Sequence, residues 1–349
     1  MLDYIPILGL TLVMGLTLIL PFSVKRVEEE LEAFLLVMGL TAVTISSVWS
    51  VHLVRESLVE PLAITATVAG VGWLFRAVRS HLDGWLSFLT ARLGLGGAVF
   101  TIVVVLGLGS GVLTAIVAAT ILAELVTLLK LDRKYEIQLT VYACYAIGLG
   151  AALTPLGEPL STIAVAKLKG PPHDAGFWYL MQHIGMWVAP GVVAAAALAA
   201  RGAGAAVPGA RGLRESAHET GRDILLRALR VYAFVMALIF LGAGLRPLAE
   251  RFVVKMPTWA LFWANSISAI LDNATLVAAE VTPAMTDRQI TFVLMGLLIS
   301  GGMLIPGNIP NIIASAKLGI KSREWARAAV PFGALLMLVY FVLMSLLVK

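Results

Sequence analysis

Asp272 is a carboxylate in the middle of an apolar stretch, Asn265-Ser-Ile-Ser-Ala-Ile-Leu-Asp-Asn-Ala-Thr-Leu-Val-Ala-Ala-Glu280, with Asn273 directly after it. A charge at the centre of a membrane costs roughly 2.5–3.5 kcal/mol on insertion scales, so such a residue is rarely idle. If the helix unwinds there, freed carbonyls and a carboxylate oxygen can coordinate a hard cation such as Na⁺. The same carboxylate can take a proton when the cation leaves, because burial favours its neutral form and a bound cation its charged form. Competition for one site is a direct route to exchange of a cation for H⁺. Thr275 completes the candidate set in this segment. The next uncharged run is interrupted by Pro306-Gly-Asn-Ile-Pro-Asn311, where proline ends helices and Gly307 permits close backbone approach. The Asn308 amide can ligate a cation, with Asp272 and Asn273, or cap its own turn. Asn311 falls at the mouth of the outgoing half-helix, where the dipole favours an anion.

An earlier run is broken in the same way at Thr154-Pro-Leu-Gly-Glu-Pro159, and offers Thr154, Glu158, Ser161 and Thr162. Glu158 is a second acid at membrane depth, a candidate for handling ions or protons. Setting Gly157 on Gly307 aligns Ile163 with Ile313, Ala164 with Ala314, Ala166 with Ala316, Lys167 with Lys317 and Leu168 with Leu318. That is six identities in twelve positions, more than shared membrane composition supplies. Thr114 falls where the repeat places the counterpart of Asp272, so the first copy carries a hydroxyl there; Ser110 and Thr114 can ligate or bond back to their own helix. Glu124 and Glu280 sit toward helix ends, where a solvated interfacial position explains each. His183 on an apolar face reads as a hydrogen-bonded core histidine. The pairs Arg76/Arg79 and Arg227/Arg230 read as lipid headgroup contacts.

The elements that position these residues follow from composition. Of 349 residues, 59% are hydrophobic and only 13% charged, with mean hydropathy +0.92, against roughly 45–50% and about 25% in soluble domains. Runs 4–24, 33–54, 93–123, 175–200, 289–316 and 328–348 lack Asp, Glu, Lys and Arg altogether, and each is near or above the ~20 residues that cross a bilayer. The fold class is therefore an all-α polytopic membrane protein. Spanning helices are predicted over 2–22, 33–54 and 57–79, followed by an amphipathic surface piece over 80–92. A long helix over 94–129 is expected to be interrupted at Gly107-Leu-Gly-Ser-Gly111, then a re-entrant hairpin over 138–168 and a helix over 176–200. After a polar linker come helices over 224–245 and 257–282, a second hairpin over 289–318 and a last helix over 325–348. The hairpin match divides the chain into two extra helices (1–56), a first inverted repeat (57–200), a linker (201–223) and a second inverted repeat (224–349), each repeat with a discontinuous helix and a re-entrant hairpin. The Lys/Arg bias places the side of Arg201 to Arg230 and Lys317 to Arg327 in the cytoplasm, with both termini outside.

The net charge of +5 lies in short loops and at helix ends, which fits anionic headgroups of the lipid bilayer and not nucleic acid. The single cysteine, Cys144, rules out an intrachain disulfide and a Cys-based metal site, and reads as a packing residue. The apolar N-terminus reads as a retained first helix, not a signal peptide. No Lys-Ser/Thr glycine loop, His-Glu-x-x-His pair or nucleophile elbow is present, and only one aspartate lies mid-span, so no enzyme and no cofactor is expected.

Ser268-Ala-Ile-Leu-Asp-Asn-Ala-Thr-Leu-Val277 and Gly150-Ala-Ala-Leu-Thr-Pro-Leu-Gly-Glu-Pro159 resemble signatures of the ion transporter superfamily, which includes NhaD-type Na⁺/H⁺ antiporters, arsenite permeases and citrate carriers. Gly301 to Asn311 resembles its second hairpin, and the closest likeness is to a branch of putative cation transporters. The resemblance spans roughly 107–330. It implies a homodimer in the cell membrane, with a scaffold and a transport domain that moves like an elevator, and ion sites between hairpin tips and broken helices. Two departures stand out. Many members carry Asp-Asn in the first copy, where this chain has Thr114-Ala115, and dicarboxylate carriers carry Ser-Asn-Thr at both tips, where this chain has neither. The expected activity is Na⁺ (or Li⁺)/H⁺ antiport, with symport of a small organic anion or an uncoupled channel as alternatives.

Overall fold

The computed structural model describes residues 4–24, 26–27, 30–129, 131–203, 221–252, 256–270 and 273–348. These form helices throughout, with no strand among the described residues: α1 (Tyr4–Ser23), α2 (Leu31–Ser46), a helical run Val51–Leu113, α5 (Ala115–Leu129), α6 (Arg133–Ala151), α7 (Pro159–Lys167), α8 (Tyr179–Ala203) and α9 (Gly221–Phe252). Then come α10 (Thr258–Ala264), a 3₁₀ turn (Asn265–Ala269), α11 (Asn273–Glu280), α12 (Asp287–Gly301), α13 (Ile309–Leu318) and α14 (Ser322–Leu347). The run Val51–Leu113 is two helices, α3 (51–93) and α4 (95–113), divided at Gly94 with φ +69 and ψ 169. Only glycine adopts that backbone conformation without strain.

Four segments, 84–113, 179–203, 228–248 and 322–347, are long and apolar enough to cross a membrane among the described residues. The chain is a helical protein suited to embedding in a membrane.

Several sequence expectations need correction. The helix expected over 33–54 stops at Ser46, where Ser47 is left-handed (φ 57), and a new helix starts at 51 with Ser50 as its N-cap, its side chain accepting from the Leu53 N–H at 3.0 Å. Serines at both edges of Ser46-Ser-Val-Trp-Ser50 satisfy the ends of two helices and so separate them. The spanning helix over 57–79 and the surface piece over 80–92 are one continuous helix, α3. Its length of about 64 Å at 1.5 Å per residue is twice a hydrocarbon core. The interruption expected at 107–111 lies instead at Thr114 (φ 72, ψ 147). The intervening glycines stay helical because they serve packing: Gly107 lies against Ala146, and Gly111 against the Gly150 carbonyl, where α4 crosses α6. Asp272 and most of the linker 201–223 lie outside the described residues, as do the side chains of Thr275, Arg76, Arg79 and Arg227.

α6 is the central post. Its residues from Tyr135 to Ala151 are nearly all buried, and Asp132 caps it by accepting from the Tyr135 N–H at 3.0 Å. Aromatic hydroxyls tie it to its neighbours, Tyr135 donating to Ala199 O of α8 at 2.9 Å and Tyr145 to Ala329 O of α14 at 3.0 Å. Phe332 of α14 stands edge-on to both Tyr142 and Tyr145. Arg133 forks onto Glu324 at 3.0 and 2.8 Å, fixing the start of α14 against the start of α6. On the other side, α2 packs along α9 through Gly39, Ala42, Ala237 and Gly244, small residues that bring the backbones together. α3 lies against α9, where Tyr232 donates to Leu58 O at 2.9 Å.

The two segments expected to form hairpins each hold a helix, a turn and a shorter helix: α6 then α7, and α12 then α13. Their returning limbs have nine and ten residues, about 14 and 15 Å. Each is about half as long as would be needed to cross a ~30 Å core alone.

Candidate functional site

A break in a helix leaves backbone N–H and C=O groups without intrahelical partners, and buried groups of this kind must be satisfied. At the first break, between α4 and α5, the turn joining α6 to α7 supplies them. The Ala115 N–H donates to Gly157 O at 2.8 Å, and Thr154 Oγ1 donates to Gly111 O. Thr114 sits on the break itself, and its Oγ1 accepts from the Val117 N–H at 3.3 Å, capping α5. Thr114 thus lies on the first break, beside the tip that carries Thr154 and Glu158.

The second break, between α10 and α11, is filled by the second tip in a related way. Ser300 Oγ donates to Asn265 O at 2.6 Å, and Asn265 Nδ2 to Val293 O at 3.2 Å. Ser268 Oγ donates to Asn273 Oδ1 across the gap. Asn273 also packs on Gly301, and Gly307 on Ser268 O. Asn311 Nδ2 donates to Gly301 O and Leu304 O, both at 2.9 Å, so this residue stitches its own turn and does not lie open at a helix mouth. Asn308 is buried at the N-cap of α13 with no side-chain capping bond. Its Nδ2 lies 2.6 Å from where a Cβ on Gly148 of α6 would be, so only glycine at 148 leaves room for it.

Several buried polar atoms in this region lack hydrogen-bond partners among the described residues: Asn265 Oδ1, Asn273 Nδ2, Asn311 Oδ1 and both Glu280 carboxylate oxygens. Such atoms are rare in folded proteins, and each calls for a ligand, a water or a reason. By contrast Ser161 donates to Glu158 O at 2.7 Å and Thr162 to Pro155 O at 2.6 Å. Those two hydroxyls serve their own turn. Glu158 itself is 7% exposed and is the N-cap of α7 without a side-chain capping bond.

Pro159 and Ile309, the residues that follow Glu158 and Asn308, line one cavity of about 580 Å³ together with Ile163 and Ala274. The two tips therefore open onto a common space. The opposite wall comes from α3 and α9, with His52, Glu56, Glu60 and Arg246 among its residues. His52 Nε2 lies 3.8 Å from Glu56. Sequence reasoning passed over Glu56 and Glu60, whose signal was their i, i+4 spacing on one helix face beside a proline at the head of an apolar run.

Two further expectations are overturned. Glu280 is fully buried, and Glu124 is nearly so, with its carboxylate 2.8 Å from Lys317 Nζ; neither is a solvated helix end. The reason is that the returning limbs cross over. α13 packs along α5, bringing Lys317 to Glu124, and α7 packs along α11, bringing Lys167 Nζ to Val281 O at 3.2 Å. His183 does hydrogen-bond as expected, its Nδ1 lying 2.8 Å from Tyr179 O, and it stacks on the Tyr179 ring. Cys144 is buried against Pro310 O. Among the described residues no three His, Cys, Asp or Glu side chains converge on a metal position. An ion held by described side chains would be held chiefly by amide, hydroxyl and backbone oxygens, which suit a hard cation.

Fold and site together define, among the described residues, a helical protein with four helices long and apolar enough to cross a membrane and two turns seated on two helix breaks. Residues 7–347 match a family described as "Protein of unknown function (DUF1646)", and the chain belongs to that family. No curated protein matches the chain.

Proposed function

We propose that this protein is a secondary active cation transporter of the cell membrane that exchanges Na⁺ (or Li⁺) for H⁺. In this reading the chain crosses the bilayer several times and is built from two inverted repeats whose hairpins enter the membrane without crossing it. The observation that carries the proposal is that each hairpin tip seats on a helix break, and both tips open onto one cavity. Carbonyls and amides released at a break are ion ligands, and irregular backbone at membrane depth is tolerated only where protein or a polar cavity covers it. The exchange of limbs, α7 onto α11 and α13 onto α5, is the packing an internal two-fold would produce. Asp272, Asn273 and Asn308 supply the ion site, and Asp272 holds the proton when the ion leaves. Helices α1–α3 and α9 form a scaffold, by which two copies pair as a homodimer. The remainder forms the moving body of an elevator-type cycle. No catalytic residue and no cofactor is involved.

The test is flux in proteoliposomes carrying an internal pH dye. Addition of Na⁺ or Li⁺, and not K⁺, should move protons, and Asp272→Asn should abolish the signal while leaving a monodisperse protein. Wild-type exchange by the Asn variant would remove Asp272 from this role. One observation favours a second reading, Na⁺-coupled symport of a small organic anion: Arg246 on the cavity wall is a cation that such a substrate needs. Glu56 and Glu60 on the same wall oppose it, and Na⁺ binding that required an added carboxylate would reverse the preference.

A further inference from the structure

We infer that Glu280 and Asn265 form a second site for a hard monovalent cation, in which the Lys167 ammonium replaces the ion when it leaves. The site does not depend on what Asp272 does. Glu280 and Asn265 are both 0% exposed. The Asn265 side chain faces the Glu280 carboxyl, though outside hydrogen-bond geometry. Neither Glu280 oxygen nor Asn265 Oδ1 receives a donor among the described residues. A proton alone does not satisfy these three acceptor oxygens, since a protonated carboxyl that donates to Asn265 Oδ1 still leaves its own second oxygen bare. A cation that prefers oxygen ligands engages all three, and among the described residues no converging His or Cys group is present that would favour a transition metal.

Lys167 supplies the alternative charge. Its Nζ donates to Val281 O at 3.2 Å, one residue past Glu280, from the face of α7 that packs on α11. The matched lysine of the other hairpin, Lys317, shows the closed arrangement, with its Nζ 2.8 Å from Glu124 on α5. Lys167 and Lys317 hold the same register in their hairpins, and Glu280 and Glu124 lie toward the ends of the helices these limbs cover. The Lys317 pair is closed; at the other limb Lys167 donates to the Val281 carbonyl, and neither Glu280 oxygen receives a donor among the described residues. Release of that ion lets the ammonium swing onto Glu280, so the buried carboxylate keeps a positive partner in both states.

The experiment is equilibrium binding of ²²Na⁺ to the purified full-length protein at fixed pH, with Glu280→Gln and Lys167→Met alongside. Glu280→Gln should lose one equivalent of bound Na⁺, in the wild-type background and again in Asp272→Asn. Lys167→Met should bind Na⁺ more tightly, by about tenfold if the ammonium holds the site roughly nine-tenths of the time. Unchanged stoichiometry and affinity in a folded Glu280→Gln protein would overturn the site, as would a wild type that binds no Na⁺ at all. If Glu280→Gln does not fold, Lys167→Met decides alone: tighter binding supports the inference, and unchanged or weaker binding overturns it. Absence of Na⁺/H⁺ flux in proteoliposomes would defeat the antiport reading and leave this site standing.

Discussion

The Glu124–Lys317 pair sets a quantitative test of how the two halves are joined. Its atoms are 2.8 Å apart, and the side chains are 14% and 8% exposed. At that distance the attraction is ~6 kcal/mol with an effective dielectric of 20, before desolvation is subtracted. An exposed pair would be worth only about 0–1 kcal/mol. Here, removing one partner leaves the other charged and buried, which costs about 3–5 kcal/mol. Removing both leaves no orphan charge and is expected to cost about 1 kcal/mol or less, since apolar replacements of buried pairs are often neutral. Lys317→Met and Glu124→Gln should therefore each destabilise strongly, and the double variant should recover most of the loss, giving a coupling energy of about 5 kcal/mol or more. Denaturant unfolding in detergent, followed by tryptophan fluorescence, measures this. Trp325 is fully buried and donates to Gly302 O at the second tip, so it reports from the right place. The coupling should change little with added salt, because buried charges are poorly screened. Additive single effects, or a Lys317→Met variant as stable as wild type, would refute the reasoning.

Two other outcomes are expected. Gly94→Ala should cost about 1–3 kcal/mol by the same unfolding assay, all of it torsional, because a Cβ there meets nothing within 4 Å; equal stability would mean that the break at 94 relaxes freely. Apparent Na⁺ affinity measured by fluorescence should rise about tenfold per pH unit below the pKa of Asp272 and level off above it, as one-proton competition requires. The sign follows because protons win the carboxylate as pH falls, and a flat profile would separate Na⁺ binding from proton release.

The turns at 152–158 and 302–308 were legible in the sequence because proline, glycine and asparagine interrupt uncharged runs there, and the chain has few other means of ending a helix in such surroundings. The first break was misplaced. Thr114 in a left-handed conformation has no local signature, and the more conspicuous Gly107-Leu-Gly-Ser-Gly111 is smooth helix whose small residues admit α6. The joining of 57–79 to 80–92 was hidden by charge: Arg76, Arg79 and Arg92 look like an ending when only hydropathy is read. Glu280 and Glu124 were judged by position along their own helices, yet their burial is decided by limbs arriving from the other half of the chain. Neither Lys317 nor Lys167 can be assigned to its partner without the crossing of those limbs. The cavity wall was missed for the same reason, since Glu56, Glu60 and Arg246 converge only when α3 lies on α9.

The division at Gly94 has a kinematic consequence. α3 belongs to the helices around α9, while α4 runs into the bundle around α6, and a single residue joins them. Two successive Cα–Cα steps of 3.8 Å cannot stretch beyond about 7.6 Å, so Leu93 and Leu95 stay together whatever the rest of the molecule does. Any relative motion of the two groups must therefore stay small at Gly94 and can grow only with distance from it. A straight translation of one group past the other would have to tilt α3 as well.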